Sequence, residues 1–235
     1  SAEPESIQKF TDEQLMDRVQ NEALKYFWDF AEPNSLMGRE RYHEDFYPKN
    51  DANVVTTGGS GFGLMTILVG VERGFIRRSE AVKRLTHIAD FLAKADRHHG
   101  AWPHWLNGET GKTVSFGKKD NGGDIVETAF LVEGIITVRE YFKNGNAEEK
   151  ALARKMDDLW KSVEWNWYTK GGEKVLYWHW SPVTGWEMNH KLQGYDETLV
   201  TYILAASSPT YPIDAETFYQ GWTRNGTYTT TTEKY

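Results

Sequence analysis

The sequence predicts an all-α fold, a toroid of helical hairpins, from three observations. Segments with helical apolar spacing recur along the 235 residues, and amphipathic ones alternate with ones that are apolar on most sides. Three long loops rich in polar and aromatic residues, 38–57, 97–121 and 166–188, each precede a more apolar helix. In a toroid the outer helices face water and the inner ones are enclosed. The loops that enter the inner helices then meet around a central cavity. No strict repeat is visible, so a helical bundle or an α-solenoid is the competing arrangement.

Each element has its own signal. Thr11 with Glu13-Gln14 makes a capping start for a helix over about 12–30, with Leu15, Val19, Ala23, Phe27 and Phe30 on one stripe and Pro33-Asn34-Ser35 beyond its end. A second helix opens at the Thr56–Gly63 glycine run and continues to about Arg73. Ser79 is the expected cap of a third helix, whose buried stripe is Val82, Leu85, Ile88 and Leu92. The fourth, from about Asp124 to Phe142, is apolar nearly all round and should be largely buried. A charged, amphipathic fifth helix spans about 147–165, and a short strand pair is expected at 174–180. A sixth helix is expected over about 189–206 and a seventh near Asp214, with a polar, β-prone tail from Thr227.

Composition narrows the function. Lys and Arg number 27 against 34 Asp and Glu, and no basic block exists, which argues against a nucleic-acid partner. No apolar run approaches the length of a membrane span. Cysteine is absent, so disulfides, thiolate metal sites and cysteine nucleophiles are excluded. The opening Ser1–Ser6 reads as a mature or trimmed N-terminus from which any export signal has been removed. The unusual figure is 10 Trp, six of them between Trp160 and Trp186, which need either a core to fill or a ligand to stack on.

Four constellations could carry chemistry. Asp120, Asp124 and Glu127 are spaced 4 and 3, one helix face if the helix has already formed there. They stand at the entry of the most apolar helix, where carboxylates are costly without partners, so a ligand-facing role is favoured over simple capping. His98-His99-Gly100-Ala101-Trp102-Pro103-His104-Trp105 is either a sugar platform or a packed loop. Metal is disfavoured there, because no acidic residue lies at ligand spacing and no H-x-x-x-H helix exists. The stretch Tyr177-Trp178-His179-Trp180-Ser181-Pro182 with Trp186 and Asn189 alternates aromatics, some for the core and some for a ligand. Near the sixth helix, Gln193-Gly194-Tyr195-Asp196-Glu197 offers two adjacent acids that cannot share a helix face. Glu197 is the inward candidate. The run Gly58–Gly63 fails as a phosphate loop for want of a preceding strand and a Gly-Lys-Ser/Thr ending, and no cofactor is implied. Asn225-Gly226-Thr227 fits a glycosylation sequon, a weak pattern.

Taken together, Thr57–Gly63, Gly100–Trp105, Lys119–Thr128, Tyr177–Pro182, Gly194–Glu197 and Tyr202–Pro209 resemble the bacterial glycoamylase-like family, which includes the endo-β-1,2-glucanases of glycoside hydrolase family 144. The resemblance implies an (α/α)6 toroid that hydrolyses a glucan with inversion, outside the cytoplasm of a bacterium. Its leading substrate is β-1,2-glucan. Family members are about twice this length. The resemblance therefore implies that this chain is the N-terminal half, its C-terminal half being a second chain, cleaved or disordered.

An inverting hydrolase needs one carboxyl to protonate the glycosidic oxygen and another to activate water, about 6.5–9.5 Å apart. Glu197, Asp124, Asp120 and Glu127 are the candidates. By the resemblance, the remaining carboxylate, the base, lies in the absent half. Trp102, Trp105, Trp178, Trp180 and Trp186, with Tyr195, are expected to form sugar subsites, and His104, His179, Asn121 and Asn189 to bond hydroxyls. Two other readings stay open: a polysaccharide lyase or epimerase on the same toroid, which would need more basic residues, and a glycan-binding protein without catalysis.

Overall fold

The computed structural model describes residues 10–41, 51–194 and 196–225. Its elements are α1 (Asp12–Trp28), β1 (Val54–Thr56), α2 (Thr57–Glu72), α3 (Arg78–Lys94), β2 (Trp105–Asn107), β3 (Thr113–Val114), β4 (Gly123–Asp124), α4 (Ile125–Phe142), α5 (Ala147–Lys161), β5 (His179–Trp180), α6 (Leu199–Ser207) and α7 (Ala215–Thr217). A 3₁₀ turn covers Trp165–Thr169, and a π turn at Phe218–Trp222 follows α7. The Tyr195 side chain and the tail from residue 226, including most of the sequon, lie outside the described residues.

The helices form two layers. Apolar α2, α4 and α6 lie side by side, with α4 between the other two, while α1 packs on α2, α5 on α4 and α3 on α5. Amphipathic α1, α3 and α5 thus cover the apolar helices from outside, as expected for part of a toroid of hairpins. The predicted capping box at Thr11 is present, with Gln14 N–H donating to Thr11 Oγ1 at 3.2 Å and Thr11 N–H to Gln14 Oε1 at 3.0 Å.

The contact between α2 and α4 is unusually close because glycines line it. A Cβ on Gly61 would fall 2.2 Å from Phe130 O, and one on Gly134 would fall 2.5 Å from Gly61 O. The glycine run that mimics a phosphate loop is therefore the surface on which α4 lies. Leu64, Ile67, Leu131, Val132 and Ile135 close the core around this seam.

Several expectations need correction. Ser79 is not a cap: α3 starts at Arg78, which pairs with Glu149 through two hydrogen bonds of 2.9 and 2.8 Å and so ties α3 to the start of α5. Helix α5 stops at Lys161, short of the expected end. There the turn at Gly100 presses in, and a Cβ at that position would be 2.1 Å from Ser162 O. The sixth helix begins ten residues later than expected. Residues 190–192 are instead drawn out against 176–178, with Trp178 N–H donating to His190 O and Leu192 N–H to Leu176 O. The expected strand at 174–180 does not pair within itself; β5 pairs antiparallel with β4, placing His179 opposite Asp124 and Trp180 opposite Gly123. A small three-stranded sheet, β1-β2-β3, adds strand content that an all-α reading omits.

The glycine seam predicts a mutational cost. Gly61→Ala should lower unfolding free energy by about 3 kcal/mol in urea titrations, because Phe130 O cannot move without displacing α4. A loss under about 0.5 kcal/mol would show that the two helices adjust freely.

Candidate active site

The acidic residues meet at the N-terminal end of α4. Asp120 lies in the loop before β4, so the three carboxylates do not share one helix face; the loop fold brings them together. Asp124 caps α4, its Oδ1 accepting from Val126 N–H at 3.0 Å and Glu127 N–H at 2.9 Å. Its backbone N–H donates to Trp102 O and that of Ile125 to Trp178 O, which fixes the helix start between two aromatic loops. Glu127 does not complete a capping box. Its Oε2 reaches α2 and accepts from Gly58 N–H at 2.6 Å, where a Cβ would be 2.1 Å from the carboxylate.

His104 stands among these groups. Its Nδ1 is 3.6 Å from Asp124 Oδ2 and 3.9 Å from Asp120 Oδ2, and its Nε2 is 3.6 Å from Glu127 Oε1. Phe116 stacks on the ring at 4.2 Å between centroids, and Trp105 meets both rings edge-on. The loop bearing His104 is docked on α2, with Thr57 Oγ1 donating to Pro103 O at 2.6 Å and Thr57 N–H to His104 O at 3.2 Å.

Burial drives every ionisable group here toward its neutral form. It raises the carboxyls of Asp120 and Glu127 above their usual range, and that of Asp124 well above it. For Asp124 the charges of Glu127 and Asp120 add to this effect, while hydrogen bonding from the Glu127 N–H opposes it. Burial also lowers His104, against the pull of Asp120 and Glu40. His179 is lowered to about 4 by burial, so its ring is neutral at neutral pH. Gly122 N–H donates to His179 Nε2 at 3.0 Å, which leaves the ring proton on Nδ1. His179 Nε2 lies 3.4 Å from Asp120 Oδ1 and therefore holds Gly122 beside that carboxyl without pairing with it as a cation.

Asp120 Oδ1 and Asn121 Oδ1 are buried and accept no hydrogen bond within the protein. Such acceptors call for a donor: a proton, a sugar hydroxyl, a water or a cation. His104, Asp120 and Asp124 place ligand atoms within 4.8 Å of one another, a grouping that can hold a cation. No acid stands at ligand spacing from this histidine in the sequence; the fold brings Asp120, 16 residues on, and Asp124, 20 residues on, to it. The three histidines themselves diverge: His98 Nε2 lies 3.0 Å from Thr113 Oγ1, and His99 stacks on Trp167.

The aromatic residues divide. Trp102 is fully buried and its Nε1 donates to Leu92 O at 3.1 Å, so it is core and not a sugar platform. His179, 1 % exposed, is likewise out of reach of a hydroxyl. Trp105, Trp178, Trp180 and Trp186 are half-buried. Asn189 is exposed, with φ 51°, and accepts from Lys170 Nζ at 3.2 Å. Glu197 is exposed on the turn before α6, and Asp196 Oδ1 accepts from Thr198 N–H at 2.9 Å. Sequence reasoning missed Phe116 and Trp167, both exposed. Trp167 lies inside the Trp160–Trp186 run that had signalled a ligand.

Hairpins in two layers, with carboxylates gathered where inner helices begin, fit part of an (α/α)6 toroid. More particularly, the chain is similar in sequence and structure to proteins described as putative glucoamylases and β-1,2-glucanases. The family model described as "Putative glucoamylase" matches residues 189–235. The chain is 50% identical over 220 residues to the exo β-1,2-glucooligosaccharide sophorohydrolase (non-reducing end) of Parabacteroides distasonis, covering 93% of this chain and 30% of that protein. The endo-β-1,2-glucanase of Chitinophaga pinensis, solved with sophorotriose and glucose, is 56% identical with a TM-score of 0.90, covering 93% of this chain and 52% of that one. A Bacteroides fragilis structure described as a putative glucoamylase is 55% identical with a TM-score of 0.91, covering 95% and 53%. This chain thus spans about half the length of these solved relatives and less of the curated one.

The raised Asp124 carboxyl has a consequence for stability. A carboxyl raised by folding supports the folded state below its unfolded pKa, and that support is lost as pH rises through the folded value. Asp124→Asn keeps the capping oxygen and removes the buried charge. The variant should therefore gain stability relative to the parent between acid pH and neutrality, measured by urea unfolding at several pH values. A parent that gains on the variant as pH rises would contradict the assignment.

Proposed function

We propose that this chain carries the acid-lined part of a glycoside hydrolase that cleaves β-1,2-glucan with inversion. The observation that carries the reading is the carboxylate group around His104, bordered by half-buried indoles, in a chain homologous to proteins described as β-1,2-glucan hydrolases.

Distances and exposure sort the roles. Asp120 and Asp124 have ligand oxygens within 4.8 Å of each other, too close for the two carboxyls of an inverting pair. Asp124, 1 % exposed, is a positioning residue that caps the start of α4. Glu127 keeps 20% of its side chain exposed and its carboxyl is raised, which suits a group that must hold a proton until the glycosidic oxygen arrives. The resemblance puts the base in the absent half; within this chain that role is assigned to Glu197 on its exposure alone, on the turn before α6. The donor gives its proton to the leaving oxygen. The base takes one from a water that attacks the anomeric carbon from the opposite face. Trp105 and Trp178 offer faces on which pyranose rings can stack.

The rest of the toroid would cover the apolar residues that α2 and α6 leave exposed, Phe62, Val69 and Ile203. Among the described residues no helix is long and apolar enough to cross a membrane. A periplasmic or extracellular place is part of the proposal and is tested by fractionating the native cells.

In full-length protein containing this chain, Glu127→Gln and Glu197→Gln should each lower kcat on β-1,2-glucan by roughly 10²–10⁴-fold. Substrates with a good leaving group should restore the donor variant, and azide the base variant. Full activity in either variant removes that residue from the reaction, and no reducing sugar from β-1,2-glucan with the parent protein overturns the function.

A further inference from the structure

The reaction proposed above leaves unused the aromatic ground on the other side of β5. In an extended pair, neighbouring side chains point to opposite faces. His179 turns toward Asp120, and Trp180 turns away to meet His99 at 4.8 Å and Trp167 at 5.6 Å, edge-on in both cases. One short strand therefore has the acidic centre on one side and an aromatic cluster on the other.

Trp167 is the centre of that cluster. It sits in the 3₁₀ turn after α5, between the buried side chains of Trp165 and Tyr168, and is 37% exposed. His99 stacks on it at 3.6 Å and 11°, with Glu164 Oε1 lying 3.5 Å from His99 Nδ1. Trp186 lies alongside at 6.3 Å and 29°. These two indoles, with Tyr211, Asn166, Lys170 and Glu164, line an open cleft of about 770 Å³. Gly171 and Gly172, at φ 85° and 96°, also line it, and an added Cβ at either would meet nothing within 4 Å. None of its lining residues belongs to the acidic centre.

The cleft combines the exposed parts of two indoles and a tyrosine ring with an amide, an ammonium and a carboxylate, a lining suited to a pyranose, which has C–H faces and a rim of hydroxyls. The indoles are too close for a ring to slip between them, because two carbon contacts of about 3.5–4 Å need roughly 7–8 Å. A sugar would therefore lie across their exposed surfaces, with its hydroxyls toward Asn166, Lys170 and Glu164. We propose that this cleft is a second glucan-binding subsite, one that holds a stretch of β-linked glucan outside the acidic centre. The inference rests on the hydrolase reading and adds a site to it.

Calorimetric titration of linear β-1,2-glucan into the full chain carrying Glu127→Gln, which leaves the ligand uncut, tests it. Adding Trp167→Ala should weaken binding about tenfold, the worth of one aromatic stacking contact. Trp167→Phe should keep most of the affinity. If circular dichroism shows that the alanine variant has not folded, Tyr211→Ala, another lining residue, replaces it and should weaken binding about threefold. Equal affinity in parent and folded variant overturns the second subsite and leaves the hydrolase reading standing. A parent that binds no β-glucan at all overturns both.

Discussion

Helices α2 and α4 meet through glycine. Gly61 and Gly134 bring the two backbones into contact, and Gly58 one turn earlier leaves the space that the Glu127 carboxylate occupies. Side chains at these positions would push the helices apart and break the hydrogen bond from Gly58 N–H to Glu127. The same α2 start receives the loop carrying Pro103 and His104. Both sides of the acidic centre are thus referenced to one helix terminus. The small residues that look like a binding loop act here as a packing surface with chemical consequences at its end.

The acidic centre behaves as one unit because its charges are too close and too buried to be independent. Burial favours the neutral form of each member, and the like charges of Asp120 and Glu127 reinforce that for Asp124. Capping hydrogen bonds and the Gly58 N–H work the other way, so each acid has both a cost and a compensation. His104, lowered by burial, faces all three at 3.6–3.9 Å. Asp124 is the fixed point and Glu127 the accessible one.

Much of this was legible in the sequence, for physical reasons. Amphipathic α1, α3 and α5 and apolar α2, α4 and α6 carry their layer assignment in their periodicity, so the hairpin order could be read directly. The acid group was visible because carboxylates ahead of so apolar a helix need an explanation. Trp102 could not be sorted from Trp105, because burial depends on where residues 92 and 128 fall in space. His104 was misjudged as distant from any acid for the same reason. The late start of α6 follows from pairing between 176–178 and 190–192, a nonlocal effect that helical propensity does not contain.

The account stands or falls on the stereochemistry of cleavage. Proton NMR of β-1,2-glucan digestion by the full-length protein, recorded before mutarotation, reports the anomer of the first reducing end released. Inversion at a β-linkage predicts the α-anomer first. First appearance of the β-anomer would mean retention, with one carboxylate acting as a nucleophile.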